Sequence, residues 1–133
     1  MTTVVFACIH NAGRSQMAAA FFNALADPAK ARALSAGTRP ADHVHPEVVQ
    51  AMAEEGIDLR QAQPQRLTDA LAATAQLLVT MGCGDECPYV PGLRRDDWPL
   101  DDPKGKPMER VREIRDEIRQ RVGRLLDQER WRK

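Results

Sequence analysis

Cys8 ends an apolar run, Val4-Val5-Phe6-Ala7, and is followed by Ile9-His10-Asn11-Ala12-Gly13-Arg14-Ser15 before a stretch of helix-favouring types, Gln16-Met17-Ala18-Ala19-Ala20-Phe21-Phe22. A nucleophile thus sits where a strand stops and a helix has yet to begin. At such a junction backbone N–H groups lack partners, and a loop curled over a helix N-terminus presents them, with the positive end of the dipole, to an anion. A thiolate gains from the same donors. Residues Ile9, His10, Asn11, Ala12, Gly13, Arg14 and Ser15 are therefore expected to cradle an oxyanion beside the attacking sulfur of Cys8.

Spacing sharpens this expectation. Arg14, six residues after the cysteine, can fold back and offer a planar fork of donors to two oxygens of a tetrahedral anion, a match that lysine lacks. Ser15 can donate its hydroxyl to the thiolate or cap the helix. Gly13 permits a tight turn, and Asn11 tolerates a left-handed conformation and can brace the loop.

A second group of reactive residues comes late. Met81-Gly82-Cys83-Gly84-Asp85-Glu86-Cys87-Pro88 holds two thiols among glycines, and Leu100-Asp101-Asp102-Pro103 holds two carboxyls. Asp102 is the candidate general acid, which would protonate an oxygen as its bond to the central atom breaks, with Asp101 as its rival. Cys83 and Cys87 bear on the choice between hydrolysis and reduction. Water could attack a Cys8 adduct, or Cys83 could attack the sulfur and leave two electrons on the bound centre, after which Cys87 could exchange in and leave a Cys83–Cys87 disulfide. A Cys-x3-Cys pair without two further ligands is weak evidence for zinc, and His43 and His45 on a proline-bounded loop are expected at the surface rather than on a metal.

The 133 residues suit one domain, and 19 basic against 19 acidic side chains call for neither nucleic acid nor an anionic membrane as partner. No apolar run approaches a membrane span and no export pattern precedes the first strand, so a cytoplasmic enzyme is expected. Three cysteines in such a chain argue against a disulfide framework. With Tyr89 the sole tyrosine, a deep aromatic pocket for a large organic substrate is hard to build.

The elements that must position these groups read as alternating strands and helices. Strands are expected at Val4–Ala7, over 31–36, over 76–80 and, briefly, over 94–98. Helices are expected after Ser15, from Pro46 with Gly56 closing it, after a Thr68 cap, and from Pro107 to about Gln128. Such alternation predicts a parallel sheet with helices on both faces, whose carboxyl edge carries both the Cys8 and the Cys83 loops. In the last helix Val111, Ile114, Ile118, Val122 and Leu125 form one apolar stripe, and its arginines are read as a solvated face with local ion pairs.

Cys8 through Ser15 resembles the Cys-x5-Arg-Ser/Thr loop of the low-molecular-weight tyrosine phosphatase superfamily, and Cys8 to Ala18 is most similar to the arsenate reductases built on that fold. The likeness extends through Asp101-Asp102-Pro103 and the Arg110–Ile118 stretch of the last helix. It implies a three-layer α/β sandwich with a four-stranded parallel sheet, formed by residues 1–133 as a single domain. It also implies a thioredoxin-coupled arsenate reductase without a cofactor, in which Cys8 is the nucleophile, Arg14 and Ser15 serve the oxyanion, Asp102 is the acid, and Cys83 and Cys87 shuttle the disulfide. Thioredoxin is then the expected partner, with phosphate and sulfate as competing oxyanions. The alternatives are a low-molecular-weight phosphatase and reductases that draw on mycothiol or glutathione with glutaredoxin. Lys104, where phosphatases of this type carry a tyrosine, counts against phosphotyrosine. Two departures stand out. Only Gly84, Asp85 and Glu86 separate the shuttle cysteines, and Ala18, Ala19 and Ala20 stand where some relatives carry a potassium-binding acid, so no such ion site is expected.

Overall fold

A computed structural model describes residues 1–82 and 91–133. In chain order the elements are β1 (Thr2–Cys8), α1 (Arg14–Leu25), β2 (Ala31–Gly37), α2 (Pro46–Ala53), α3 (Asp69–Ala73), β3 (Leu77–Thr80), β4 (Arg94–Asp97) and α4 (Met108–Glu129). The four strands form one parallel sheet in the order β2-β1-β3-β4. Because β1 pairs on one side with the strand that follows it and on the other with β3, the connections diverge from its carboxyl end, which is where open parallel sheets leave a crevice. Cys8 is the last residue of β1 and pairs with Gly37.

Alternation along β1 divides the core. Val4, Phe6 and Cys8 join Leu77 and Val79 under α1, α2 and α4, whereas Val5, Ala7 and Leu78 pack with Ala36, Leu67 and Ala72 on the face covered by α3. Both faces are buried, which is why the strand reads as a continuous apolar run. Phe6 anchors the larger side, edge-on to Phe22 at 6.0 Å and tilted against Trp98 at 5.5 Å. The edge strand β4 consists of Arg94, Arg95, Asp96 and Asp97, all exposed, and charge of this kind discourages pairing with another sheet.

The expected elements are present, with displaced ends. Helix α1 begins at Arg14, two residues earlier than the run of helix formers, because the loop itself turns into the first helical residues. The Thr68 hydroxyl accepts from Leu71 N–H at 3.0 Å, the anticipated cap, and Gly56 takes φ +76° beyond α2.

One reading changes. The α4 arginines are not all a solvated face: Arg115 is buried, donates to the Ala51 carbonyl at 3.0 Å and to Glu54 at 2.8 Å, and shares Glu54 with Arg112. These bonds tie α4 to the end of α2, a contact that helical spacing within one segment does not reveal. Bonds from Arg112 and then Arg115 hold the Glu54 carboxyl down at about 2, against an ordinary value of 4.5. A depressed folded-state value stabilises the fold above the unfolded-state value and is lost as pH falls through the folded one. Glu54→Gln is therefore expected to lower the melting temperature at neutral pH, with the difference from wild type vanishing as pH falls from 4.5 toward 2. A difference that persists unchanged at the acid end would show that the pair contributes nothing through its charge.

Candidate active site

The segment between β1 and α1 closes on itself around the Cys8 sulfur. Cys8 is 2 % exposed, and Asn11 through Ser15 are buried. The loop is held from outside by backbone bonds: Thr38, Arg39 and Ala41 N–H groups donate to the carbonyls of Cys8, Ile9 and His10, and His45 N–H donates to Ala12. With those carbonyls turned outward to the 38–45 segment, the loop's own amides are left to face an anion. Asn11 takes the left-handed conformation expected of it, φ 51°.

Of the two roles open to Ser15, the structure favours the thiol. The Cys8 Sγ lies 2.9 Å from Ser15 Oγ, while α1 has no side-chain cap. Asn11 Nδ2 donates to the same hydroxyl at 2.8 Å. The Asn11 Oδ1 accepts from Gln65 N–H at 2.9 Å and from Gln16 Nε2 at 3.2 Å.

Arg14 is the first residue of α1 and is 6 % exposed. One terminal nitrogen donates to the Leu100 carbonyl at 3.0 Å and the other lies 3.7 Å from Asp102. Its Nε is the one buried side-chain polar atom among the described residues without a partner. Leaving such a donor unsatisfied costs about 1–3 kcal/mol. A tetrahedral anion seated in the loop would supply the missing acceptor.

Close approaches explain three glycines. A Cβ on Gly13 would meet the Pro103 ring at 2.8 Å, one on Gly37 would meet the Ile9 carbonyl at 2.6 Å, and one on Gly82 would meet Arg14 at 2.5 Å. Gly13 thus serves the seating of Pro103 on the loop. Gly82, at φ +97°, brings the chain after β3 directly against the Arg14 guanidinium.

The two aspartates separate by environment. Asp101 pairs with Arg110 at 2.6 Å, which holds its carboxyl below the ordinary range and turns it away as a proton source. Asp102 faces Arg14, is 40 % exposed on its side chain, and accepts from Lys104 N–H at 3.0 Å. His43 is exposed and His45 half-buried. Burial lowers the His45 imidazole below its ordinary value against the opposing charges of Glu47 and Asp102, so it is mostly neutral at pH 7. Cys83 and Cys87 lie outside the described residues. Sequence reasoning missed Gln16, Gln65, Leu100 and the packing of Gly82 on Arg14; the last three act only across the fold, and Gln16, five positions from Asn11, is of a type equally at home on a helix surface.

A cysteine-bearing loop at the carboxyl end of the first strand of a four-stranded parallel sheet, with the arginine that ends it facing an aspartate from far along the chain, has the chemistry to hold an oxyanion. The chain belongs to the family described as low molecular weight phosphotyrosine protein phosphatase, whose model matches residues 3–132. A Halobacterium salinarum protein with the provisional name arsenate reductase is 44 % identical over 129 residues, spanning 92 % of this chain and 89 % of its own length. An arsenate reductase of Staphylococcus aureus is 33 % identical over 122 residues, spanning 88 % of this chain and 90 % of its own. The structure of a thioredoxin-dependent arsenate reductase from Corynebacterium glutamicum superposes with a TM-score of 0.83 at 38 % identity, covering 96 % of this chain, which spans 61 % of that one.

Proposed function

We propose that this protein reduces arsenate to arsenite through a covalent Cys8 adduct, with thioredoxin restoring the enzyme. The observation that carries the reading is the unpartnered, buried Nε of Arg14, six residues after Cys8, on a guanidinium whose terminal nitrogens Gly82 approaches one residue before Cys83 in the sequence. The names of the relatives support arsenic over phosphorus as the central atom.

In this reading arsenate sits in the loop with its oxygens on the amides of residues 9–15 and on Arg14. The Cys8 thiolate attacks arsenic, and one oxygen leaves as water with a proton from Asp102. Cys83 then attacks the Cys8 sulfur; the S–As bond breaks, its electron pair stays on arsenic, and arsenite departs as a Cys8–Cys83 disulfide forms. Attack by the Cys87 thiolate on Cys83 frees Cys8 and leaves Cys83–Cys87, which a thioredoxin dithiol reduces. One arsenate, two thiols and one disulfide balance each turnover. Asp102→Asn keeps the side-chain volume and removes the acid; adduct formation is expected to slow by about 10²-fold while arsenate binding stays within about threefold. Stopped-flow rates equal to wild type would reduce Asp102 to a turn residue.

The reading as a whole is tested without any added thiol. Pre-reduced enzyme mixed with arsenate should release one equivalent of arsenite and leave a mapped disulfide between positions 83 and 87. Absence of arsenite, together with steady hydrolysis of an aryl phosphate, would make the protein a phosphatase; arsenite formed at an unchanged rate by Cys83→Ser would remove the relay.

A further inference from the structure

We infer that Gln16 is a positioning residue for Cys8: by holding the Asn11 amide in one orientation, it keeps the single proton of Ser15 directed at the Cys8 sulfur. This rests on the reading of Cys8 as the nucleophile, and adds to the Cys-x5-Arg-Ser loop one residue just outside it.

The argument follows the donors. Cys8 as a thiolate can only accept, so the 2.9 Å contact requires the Ser15 hydroxyl to donate. That hydroxyl has one proton and can give it to one acceptor. Its other neighbour, at 2.8 Å, is the Asn11 side chain, whose two ends differ in kind. With the NH₂ end toward Ser15 the amide donates and the Ser15 proton is free for sulfur. With the amide flipped, Asn11 Oδ1 would accept that proton and Cys8 would lose it.

What prevents the flip lies on the far side of Asn11. Two donors converge on Oδ1, the Gln65 backbone N–H at 2.9 Å and Gln16 Nε2 at 3.2 Å. Gln16 Nε2 also donates to the Asn11 backbone carbonyl at 3.1 Å, bracing the left-handed residue at both its oxygens, and reaches the Gln63 carbonyl at 3.4 Å. The 63–67 segment is in turn fastened to β2: Gly37 N–H donates to the Gln65 carbonyl, Leu67 N–H donates to the Gly37 carbonyl, and Gln65 Nε2 donates to Ser35 O at 2.8 Å. Gln16 is 6 % exposed, and Asn11 and Ser15 are fully buried, so water cannot replace a lost donor from bulk.

The test reads Cys8 directly. In a Cys83→Ser, Cys87→Ser background the sole remaining thiol is Cys8, and its alkylation by iodoacetamide needs no arsenate. Gln16→Met keeps length and burial but removes the donors; at a pH where the thiol form dominates in both proteins, alkylation is expected to slow about threefold, the loss of thiolate outweighing its gain in nucleophilicity. Gln16→Glu is isosteric and, when ionised, turns an acceptor toward two Asn11 oxygens. Its loss should exceed that of Gln16→Met and shrink relative to the parent as pH is lowered, because a protonated carboxyl can donate again. Gln16→Met at the parental rate overturns the proposal. So does a Gln16→Glu deficit that is the same at every pH, which would mark a packing role; this second variant decides the matter even if Gln16→Met folds poorly. Since no arsenate is present, failure of the reductase reading and failure of this one are separately visible.

Discussion

Cys8→Ser is expected to abolish arsenite formation and any phosphatase activity while leaving oxyanion binding within about threefold. The serine hydroxyl is a far weaker nucleophile at neutral pH, and loss of a nucleophile from a preorganised site lowers turnover by a factor on the order of 10⁵ or more. Reduction fails for a second reason: no disulfide can form through oxygen, so no electron pair can reach arsenic by this route. Binding survives because the donors are backbone amides and Arg14, held by the outward bonds of the loop carbonyls to residues 38–45 and not by the sulfur. Calorimetric titration with phosphate or arsenate, beside an arsenite assay, reads both halves. Reduction persisting in Cys8→Ser would remove this loop from the chemistry altogether.

The second large effect is expected from Arg14→Lys, which keeps the charge and removes the fork. Arg14 offers a buried Nε with no partner while its terminal nitrogens engage Leu100 O and Asp102. An ammonium has no group at the Nε position and cannot span two oxygens of one anion while touching both loop and acid segment. A drop in kcat/KM of about 10²–10³-fold is expected, the usual size for loss of one oxyanion donor from a dry site. The loss should appear in single-turnover adduct formation and, in the proposed relay, leave reduction of the Cys83–Cys87 disulfide unaffected. A variant within about threefold of wild type would mean that charge alone suffices and that the fork geometry is incidental.

Several parts of this design can be read directly from the linear chain. Cys8, Asn11, Arg14 and Ser15 are close in sequence, so their types and offsets already describe a loop, and the loop's left-handed residue falls at Asn11 as expected. The apolar stripe of α4 is similarly local: Val111, Ile114, Ile118, Val122 and Leu125 are all buried. Arg115 belongs to the same helix yet is buried, because Ala51 and Glu54, some 60 positions away, hold it and helical periodicity carries no information about them. The choice between Asp101 and Asp102 was open for the same reason. Only the fold brings Arg110 to one and Arg14 to the other.

What the amino-acid order alone determined was which residues share the loop between β1 and α1 and the alternation of strands and helices, since each depends on interactions within a turn or two of chain. The tertiary structure decided how those parts are aimed. Gln65 and Gln16 orient Asn11, Leu100 and Asp102 hold Arg14, and Pro103 and Gly82 close on the loop from two sides. The Arg14–Leu100 bond joins residues 86 positions apart. A hydrogen bond's direction and a guanidinium's last free donor are properties of such assembled neighbours, so no reading of residue types in order could have supplied them.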